Sequence, residues 1–105
     1  MAKKPNRISE ADLTDAALVI VRAQASQTIS TSRLISELRK VMPLGPDDEE
    51  MLEGRQDDHF SQIVRNIKSH KGQPGNLIAE GYLEAIPRGF AITEAGLLRL
   101  KHKGL

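Results

Sequence analysis

The sequence predicts a small α+β domain that is mostly helical. Apolar residues recur at helical spacing in several separate segments, and two short β-prone runs near the C-terminal end are joined by turn residues. Of the 105 residues, 39% are hydrophobic, which suits one globular domain with a modest core. We therefore expect residues 1–8 to form a flexible basic arm and residues 9–105 to form a single domain.

The first half is predicted to contain two helices with a short strand between them. A helix over about residues 10–25 is capped by Ser9 or Asp12, and the β-prone residues 27–30 are expected to pair with the later hairpin. A second helix starts at a cap, Ser30 or Thr31, and ends at Pro43. The predicted buried positions are Leu13, Ala16, Ala17, Ile20 and Val21 in the first helix, and Leu34, Ile35, Leu38, Val41 and Met42 in the second.

Residues 43–56 are predicted to form a long acidic loop between helices, because this stretch contains two prolines, two glycines and a run of acidic residues. Residues 47–58 hold 7 acidic residues against the single basic residue Arg55. The rest of the chain then has 14 basic and 7 acidic residues, a net charge of +7, although the whole chain has only +1. This asymmetry favours a polyanionic partner.

The second half is predicted to contain a third helix, a hairpin and a last helix. The third helix covers residues 57–71, with Phe60, Ile63, Val64 and Ile67 buried. A turn at 72–75 leads to a brief helix at 76–80, capped by Asn76 and ended by Gly81. Strands at 82–86 and 90–93 are joined by Pro87, Arg88 and Gly89. Thr93 then caps a helix over about 94–103, which buries some of Ala95, Leu97, Leu98 and Leu100.

This order of elements is that of a winged helix-turn-helix domain, with a three-helix core, a two-stranded β-hairpin wing and a C-terminal helix. In such domains the last helix before the hairpin lies in the DNA major groove, and the hairpin contacts the backbone or the minor groove. Arginine and lysine suit phosphates or guanine, and asparagine and glutamine suit adenine. The predicted DNA-binding residues are Gln62, Arg65, Asn66, Lys68, Ser69, Lys71 and Arg88.

Three segments, residues 32–48, 59–72 and 76–100, resemble the winged-helix domains attached to Mrr-type and HNH-type restriction endonucleases. The last segment is the most specific, with Glu80-Gly81 before a strand, Arg88-Gly89 at the hairpin tip and Ile92-Thr93-Glu94-Ala95-Gly96 at the entry to the final helix. The resemblance implies that four residues of the third helix face DNA and that Arg88 lies on the wing. These four residues are Arg65, Asn66, Lys68 and Ser69.

The chain departs from this family in two respects. It lacks the Asp and Glu-x-Lys pattern of the associated nuclease, so no nuclease domain is expected. The connection between the second and third helices is also much longer than the usual turn of about three or four residues. Phosphate would repel its acidic side chains, so we expect them to lie away from the DNA-binding face.

Composition argues against several other functions. The absence of cysteine excludes disulfides and thiolate metal sites, and no two of the three histidines have the spacing of a helical metal site. Asp57 and Asp58 fit the start of a helix better than the role of metal ligands. No apolar run is long enough to span a membrane. We expect a cytoplasmic protein, bacterial in style, that is not an enzyme and has no cofactor, metal, membrane partner or small-molecule ligand.

The leading hypothesis is double-stranded DNA binding, in transcription regulation or in a restriction system. The alternative is a winged helix that serves as a protein–protein interaction module, which the modest total charge and the acidic segment motivate. A third possibility, an enzyme, would require a pocket with convergent titratable groups. Two interpretations of Leu97 and Leu105 stay open: they contact a partner, such as a second copy in a homodimer, or they pack against the first helix.

Overall fold

The computed structural model describes residues 10–42 and 59–105. A 3₁₀ turn (Glu10–Leu13) precedes α1 (Thr14–Arg22), β1 (Thr28–Ser30), α2 (Thr31–Val41), α3 (His59–Ser69), β2 (Leu83–Ile86), β3 (Gly89–Ile92) and α4 (Glu94–Lys103). The predicted class, α+β and mostly helical, is confirmed. Several predictions lie outside the described residues: the basic arm, the Ser9 cap, the stop at Pro43, the acidic loop and the helix start at Asp57 and Asp58.

The three described strands form one antiparallel sheet in the order β1-β3-β2. Ile29 of β1 pairs with Phe90 of β3, and Ser30 pairs with Gly89. On the other side of β3, Ala85 pairs with Phe90. The predicted pairing between residues 27–30 and the hairpin is therefore confirmed, and it joins two parts of the chain about sixty residues apart.

A mostly aliphatic core lies between the sheet and the helices, with Phe60 and Phe90 completely buried. Leu18 is also completely buried, although the predicted stripe of α1 did not include it, because α1 packs against both α2 and α4 and so buries a wider arc. Arg39 connects α2 to α3: its Nη2 donates to Ser61 Oγ at 3.0 Å, and its guanidinium lies 5.2 Å from the centre of the Phe60 ring. The buried apolar residues are Leu13, Ala17, Leu18, Val21, Ile29, Leu34, Ile35, Leu38, Phe60, Val64, Ile67, Leu77, Leu83, Phe90 and Leu100.

The predicted caps of α2 and α4 are present. Ser30 Oγ accepts a hydrogen bond from Arg33 N at 3.2 Å, and Thr93 Oγ1 accepts one from Gly96 N at 3.1 Å. Of the two alternative caps predicted for the first helix, Asp12 was wrong, since Leu13 occupies the N-cap position of α1 and makes no side-chain cap. The other alternative, Ser9, lies outside the described residues. The 3₁₀ turn already leads the backbone into α1, so the α-helical start is shifted past Asp12.

Helix ends differ from the predicted bounds. The helix predicted over 10–25 ends at Arg22, and α3 ends at Ser69 and not at Lys71. Val41 was predicted to be buried but is 61% exposed, because α2 ends there and the next residue, Met42, packs against the core in its place. In α4, Leu100 is completely buried but Leu98 is 48% exposed.

The brief helix predicted at 76–80 is a turn. Asn76 does act as a local cap, since its Oδ1 accepts hydrogen bonds from Ile78 N and Ala79 N at 2.8 and 3.1 Å. The turn closes with the bond from Glu80 N to Asn76 O at 2.9 Å, and Gly81 then leaves the helical region at a φ of 82°. So short a segment between turns cannot propagate a helix.

The hairpin loop consists of two residues, Pro87 and Arg88, since Gly89 already pairs with Ile86. Arg88 has a φ of 62°, in the left-handed region that favours glycine. Gly89 approaches β1 so closely that a Cβ there would overlap the Ile29 carbonyl oxygen and lie 2.9 Å from its carbonyl carbon. These contacts are with backbone atoms of a paired strand, so neither side can move away without breaking the sheet.

We predict that Gly89→Ala lowers the free energy of unfolding by about 3 kcal/mol, because the added methyl group forces β1 and β3 apart. The matched control is Gly72→Ala, where an added Cβ meets no atom within 4 Å. That variant should change stability by less than about 0.5 kcal/mol. Urea unfolding monitored by circular dichroism measures both values, and equal stabilities of the two variants would contradict the close approach at Gly89.

Candidate nucleic-acid interface

Helix α3 turns a polar face away from the core. Phe60, Val64 and Ile67 recur at helical spacing and are buried, as is Ser61, so the polar face lies on the opposite side of the helix. Arg65 and Ser69 are exposed, whereas the other three predicted site residues on α3 are half-buried. These three are Gln62, Asn66 and Lys68. Lys71 is exposed in the turn that follows α3.

A groove of about 470 Å³ lies between α3, the start of α2 and the hairpin tip. It brings together three of the predicted site residues from two separate elements: Arg65 and Lys68 of α3, and Arg88 of the hairpin. No carboxylate occurs among the described residues that line it. The groove is therefore suited electrostatically to an anion. Its lining residues are Ser30, Thr31, Ser32, Arg65, Lys68, Arg88 and Phe90.

The position of Arg88 is fixed by the first residue of α2. Thr31 N donates a hydrogen bond to the Arg88 carbonyl oxygen at 2.8 Å, and Thr31 Oγ1 donates to the same oxygen at 3.3 Å. The hairpin tip is thereby held against the N-terminus of α2. That end of a helix carries partial positive charge, which adds to the charge of the arginine side chains.

Lys68 contacts the hairpin. Its Nζ donates a hydrogen bond to the Ile86 carbonyl oxygen at 2.7 Å and lies 5.3 Å from the centre of the Phe90 ring. The sequence predicted that this side chain contacts DNA. In the structure it lines the groove, but its ammonium group binds the last residue of β2. Its charge is used at least partly within the protein.

The remaining predicted residues continue the α3 face beyond the groove. Gln62 Nε2 donates to Asn66 Oδ1 at 2.8 Å, one helical turn along α3. An Asn66 amide that paired with adenine would have to exchange this bond. Gln62, Asn66, Ser69 and Lys71 do not line the groove itself.

Sequence reasoning missed the contribution of the α2 start. Ser30 and Thr31 were predicted only as alternative caps, and Ser32 was not considered. Three consecutive hydroxyl residues at a helix start were a visible signal. Their nearness to Arg65 and Arg88 depends on the pairing of β1 with β3, which brings Ser30 opposite Gly89.

A second depression, of about 410 Å³, lies beside α4 and is lined by Tyr82, Ala95, Leu98, Arg99, His102 and Lys103. Two of its cations pair with Asp15 of α1: Lys103 Nζ donates to one carboxylate oxygen at 2.8 Å, and Arg99 Nε donates to the other at 2.9 Å. These bonds, led by that of Lys103, lower the pKa of Asp15 against the opposing effect of burial. The bond to Asp15 likewise raises the pKa of Arg99. This cluster joins α1 to α4, and its one carboxylate neutralises one of the two positive charges.

The described ranges contain no group of three or more His, Asp or Glu side chains placed to hold a metal ion. None of the helices in residues 10–42 and 59–105 combines the length and apolar character that crossing a membrane requires. Comparisons with protein-family models, with curated proteins and with solved structures gave no match. The resemblance to winged-helix domains of restriction endonucleases therefore stays a prediction from sequence, and function is inferred from the side chains and their placement.

We predict that Asp15→Asn lowers the free energy of unfolding by about 0.5–1 kcal/mol at pH 7, as expected for a partly exposed ionic network. The pKa of Asp15 is lower in the folded chain than its ordinary value of 3.8, so its stabilising effect is complete above that value. The effect is lost as the pH falls through the folded-state pKa. Urea unfolding at several pH values should show the two proteins converging in acid. Glu84→Gln is the control for loss of an exposed carboxylate, and a difference between Asp15→Asn and wild type that persists unchanged in acid would contradict the ionic role.

Proposed function

We propose that this chain is a winged-helix domain that binds double-stranded DNA through α3, the start of α2 and the hairpin tip. One observation carries the proposal: Arg65 and Arg88, from separate elements, line a single groove beside the α2 N-terminus with no carboxylate among its described lining residues. Arginine is well suited to phosphate because its planar guanidinium can donate two parallel hydrogen bonds. The proposal includes no catalytic residue and no cofactor.

The element order supports the winged-helix assignment. Among the described residues, three α-helices precede a hairpin, and a short strand between the first two adds to that hairpin as the outer strand next to β3. In a winged helix the helix before the hairpin enters the major groove and the hairpin contacts the flanking backbone. Helix α3 and Arg88 occupy these two positions in the chain.

The groove suggests a division of work between affinity and sequence preference. Arg65 and Arg88 would bind backbone phosphates, assisted by the hydroxyls and the positive end of α2. Lys71, exposed after α3, would add a further phosphate contact. Gln62, Asn66 and Ser69 continue the same face and would supply any preference for bases. Binding of this kind weakens as salt rises, because each phosphate contact releases condensed counterions.

The backbone of Arg88 provides independent support. A non-glycine residue with positive φ costs roughly 1–2 kcal/mol, and glycine or asparagine would serve this two-residue loop with less strain. Strained residues of this kind cluster at functional sites. Arginine is therefore a poor choice for this turn, and its presence at the edge of a cationic groove supports a functional role for its side chain.

The second candidate function is a protein-interaction module. It is favoured by two leucines at the C-terminal end, Leu98 and Leu105, which are 48% and 51% exposed. Leu105 is tied to α1 through its backbone, where its carbonyl oxygen accepts a bond from Arg22 Nη1 at 2.8 Å. Its side chain stays available for a partner, such as a second copy of the chain. Binding to a nuclease-resistant protein partner, without affinity for DNA, would favour this candidate.

We predict that Arg65→Ala combined with Arg88→Ala weakens binding to a random-sequence duplex and lowers the slope of log K against log salt by about 0.9 for each arginine. Fluorescence anisotropy across a salt series measures both quantities. The control, Lys40→Ala with Lys101→Ala, removes the same charge near the C-terminal ends of α2 and α4, and neither residue lines the groove. Equal losses in the two double variants would show that total charge, and not the groove, determines binding.

We predict that Arg88→Gly separates stability from binding. Glycine relieves the positive φ but adds freedom to the unfolded chain, so stability should stay equal or rise by up to about 1 kcal/mol while DNA affinity falls. Gln27→Gly is the matched control, because Gln27 has a φ of 57° at the opposite end of β1 from the groove. Gln27→Gly should change the temperature of thermal unfolding by the same amount as Arg88→Gly, but it should leave the DNA affinity measured by anisotropy unchanged. A large loss of stability in Arg88→Gly, or equal DNA affinities for the two variants, would contradict this role of Arg88.

A further inference from the structure

We propose that Lys68 is a positioning residue that fixes the hairpin tip relative to α3, and that it is not itself a phosphate contact. This inference rests on the proposed DNA-binding function and deepens it. It distinguishes the cations that contact the duplex from the one that positions Arg88 relative to α3. It follows from the direction of the Lys68 side chain and from the way the tip is anchored.

The ammonium group of Lys68 lies between two groups of the hairpin. Its Nζ donates to the Ile86 carbonyl oxygen at 2.7 Å, and the face of Phe90 lies beneath it, 5.3 Å from the ring centre. Phe90 is completely buried in the middle strand and pairs with both of its neighbours, so it forms a rigid base. A charged donor at this distance makes a strong hydrogen bond, and the ring adds a cation–π attraction.

The bond from Lys68 completes a two-sided clamp on the hairpin loop. Ile86 is the residue before the loop, and its carbonyl is bound from α3; Arg88 is the last loop residue, and its carbonyl is bound from α2 by Thr31. Pro87, between them, has its φ fixed by its ring. The loop is therefore restrained on both sides, and the bond from Lys68 restrains the separation between Arg65 and Arg88.

This geometry predicts energetic coupling between Lys68 and Arg88. A lysine that binds its own phosphate contributes independently of Arg88, so the losses in affinity add. A lysine that acts by placing Arg88 contributes only while the Arg88 side chain is present. Its substitution should then cost little once Arg88 is alanine.

The test is a double-mutant cycle of Lys68→Met and Arg88→Ala, with binding to a random-sequence duplex measured over a salt series. Methionine retains the unbranched apolar stem over Phe90 but removes the hydrogen-bond donor. We expect each single variant, and also the double variant, to lower the slope of log K against log salt by the same amount, about 0.9. Two independent phosphate contacts would give a decrease in the double variant about twice as large, and that result would overturn the inference.

Lys71→Met serves as the matched control, because Lys71 is exposed just past α3 and does not line the groove. Its effect should add to that of Arg88→Ala, with the two decreases in slope summed. Circular dichroism shows whether each variant is folded. If Lys68→Met does not fold, Lys68→Leu, which also lacks a hydrogen-bond donor, replaces it in the same cycle.

Backbone relaxation in the free protein gives a second readout that does not involve DNA. Lys68→Met should lower the ¹⁵N order parameter of the Arg88 amide, while Lys71→Met leaves it unchanged. Unchanged mobility of Arg88 in Lys68→Met would overturn the inference. Absence of DNA binding by the wild-type chain would overturn the proposed function and this inference together, whereas wild-type binding with additive losses would overturn the inference alone.

Discussion

The pairing of Ser30 with Gly89 is the constraint on which the candidate interface depends. Ser30 is both the last residue of β1 and the N-cap of α2, so the register of β1 against β3 fixes the point where α2 begins. Gly89 follows Arg88 directly, and the same register therefore brings the hairpin tip to Thr31. Only a residue without a side chain allows this approach, since a Cβ at position 89 would overlap the backbone of Ile29.

Cationic side chains are used differently in the groove and beside α4. Beside α4, Arg99 and Lys103 share the carboxylate of Asp15, and their charge joins α1 to α4. In the groove, Arg65 and Arg88 lie near hydroxyl groups and a helix N-terminus, with no carboxylate among the described lining residues. A phosphate beside α4 would have to displace a bound carboxylate, whereas none of the described lining residues of the groove supplies one. Charge counts along the sequence do not distinguish these two situations.

Much of the fold could be predicted because it follows from local patterns. Ser30 and Thr93 precede helical apolar periodicity and do cap their helices, and the β-prone residues before Ser30 do pair with the hairpin. Burial at helix ends could not be predicted: Val41 has the spacing of a core residue, yet α2 ends there and the side chain is exposed. Asn76 was predicted as a helix cap, but the helix does not form. The Asn76 side chain caps a single turn and also joins that turn to α3, with Nδ2 donating to the Ile67 carbonyl oxygen.

The candidate site could be predicted only as a set of residues on one face. Periodicity indicates that Lys68 points away from the core of α3, but it says nothing about which element covers that side of the helix. Here the end of β2 covers it, and Lys68 donates a hydrogen bond to the Ile86 carbonyl oxygen. In the same way, Thr31 had a local interpretation as a cap, whereas its hydrogen bonds to Arg88 cross 57 residues of sequence. Contacts of this kind require the strand register, which no single segment contains.

The strained backbone of Arg88 and the clamp on the loop explain each other. A positive φ at arginine persists only where the surroundings determine the conformation. Here Gly89 pairs with β1, Thr31 binds the Arg88 carbonyl, and Lys68 binds the carbonyl of Ile86 just before the loop. A hairpin tip bound by two helices is already ordered, so a ligand that contacts Arg88 causes little further loss of conformational entropy. The same restraint limits the reach of the tip, because a two-residue loop bound on both sides cannot extend far from α3. For a DNA-binding domain this arrangement favours contacts concentrated around one groove of the duplex over a wing that reaches into the next.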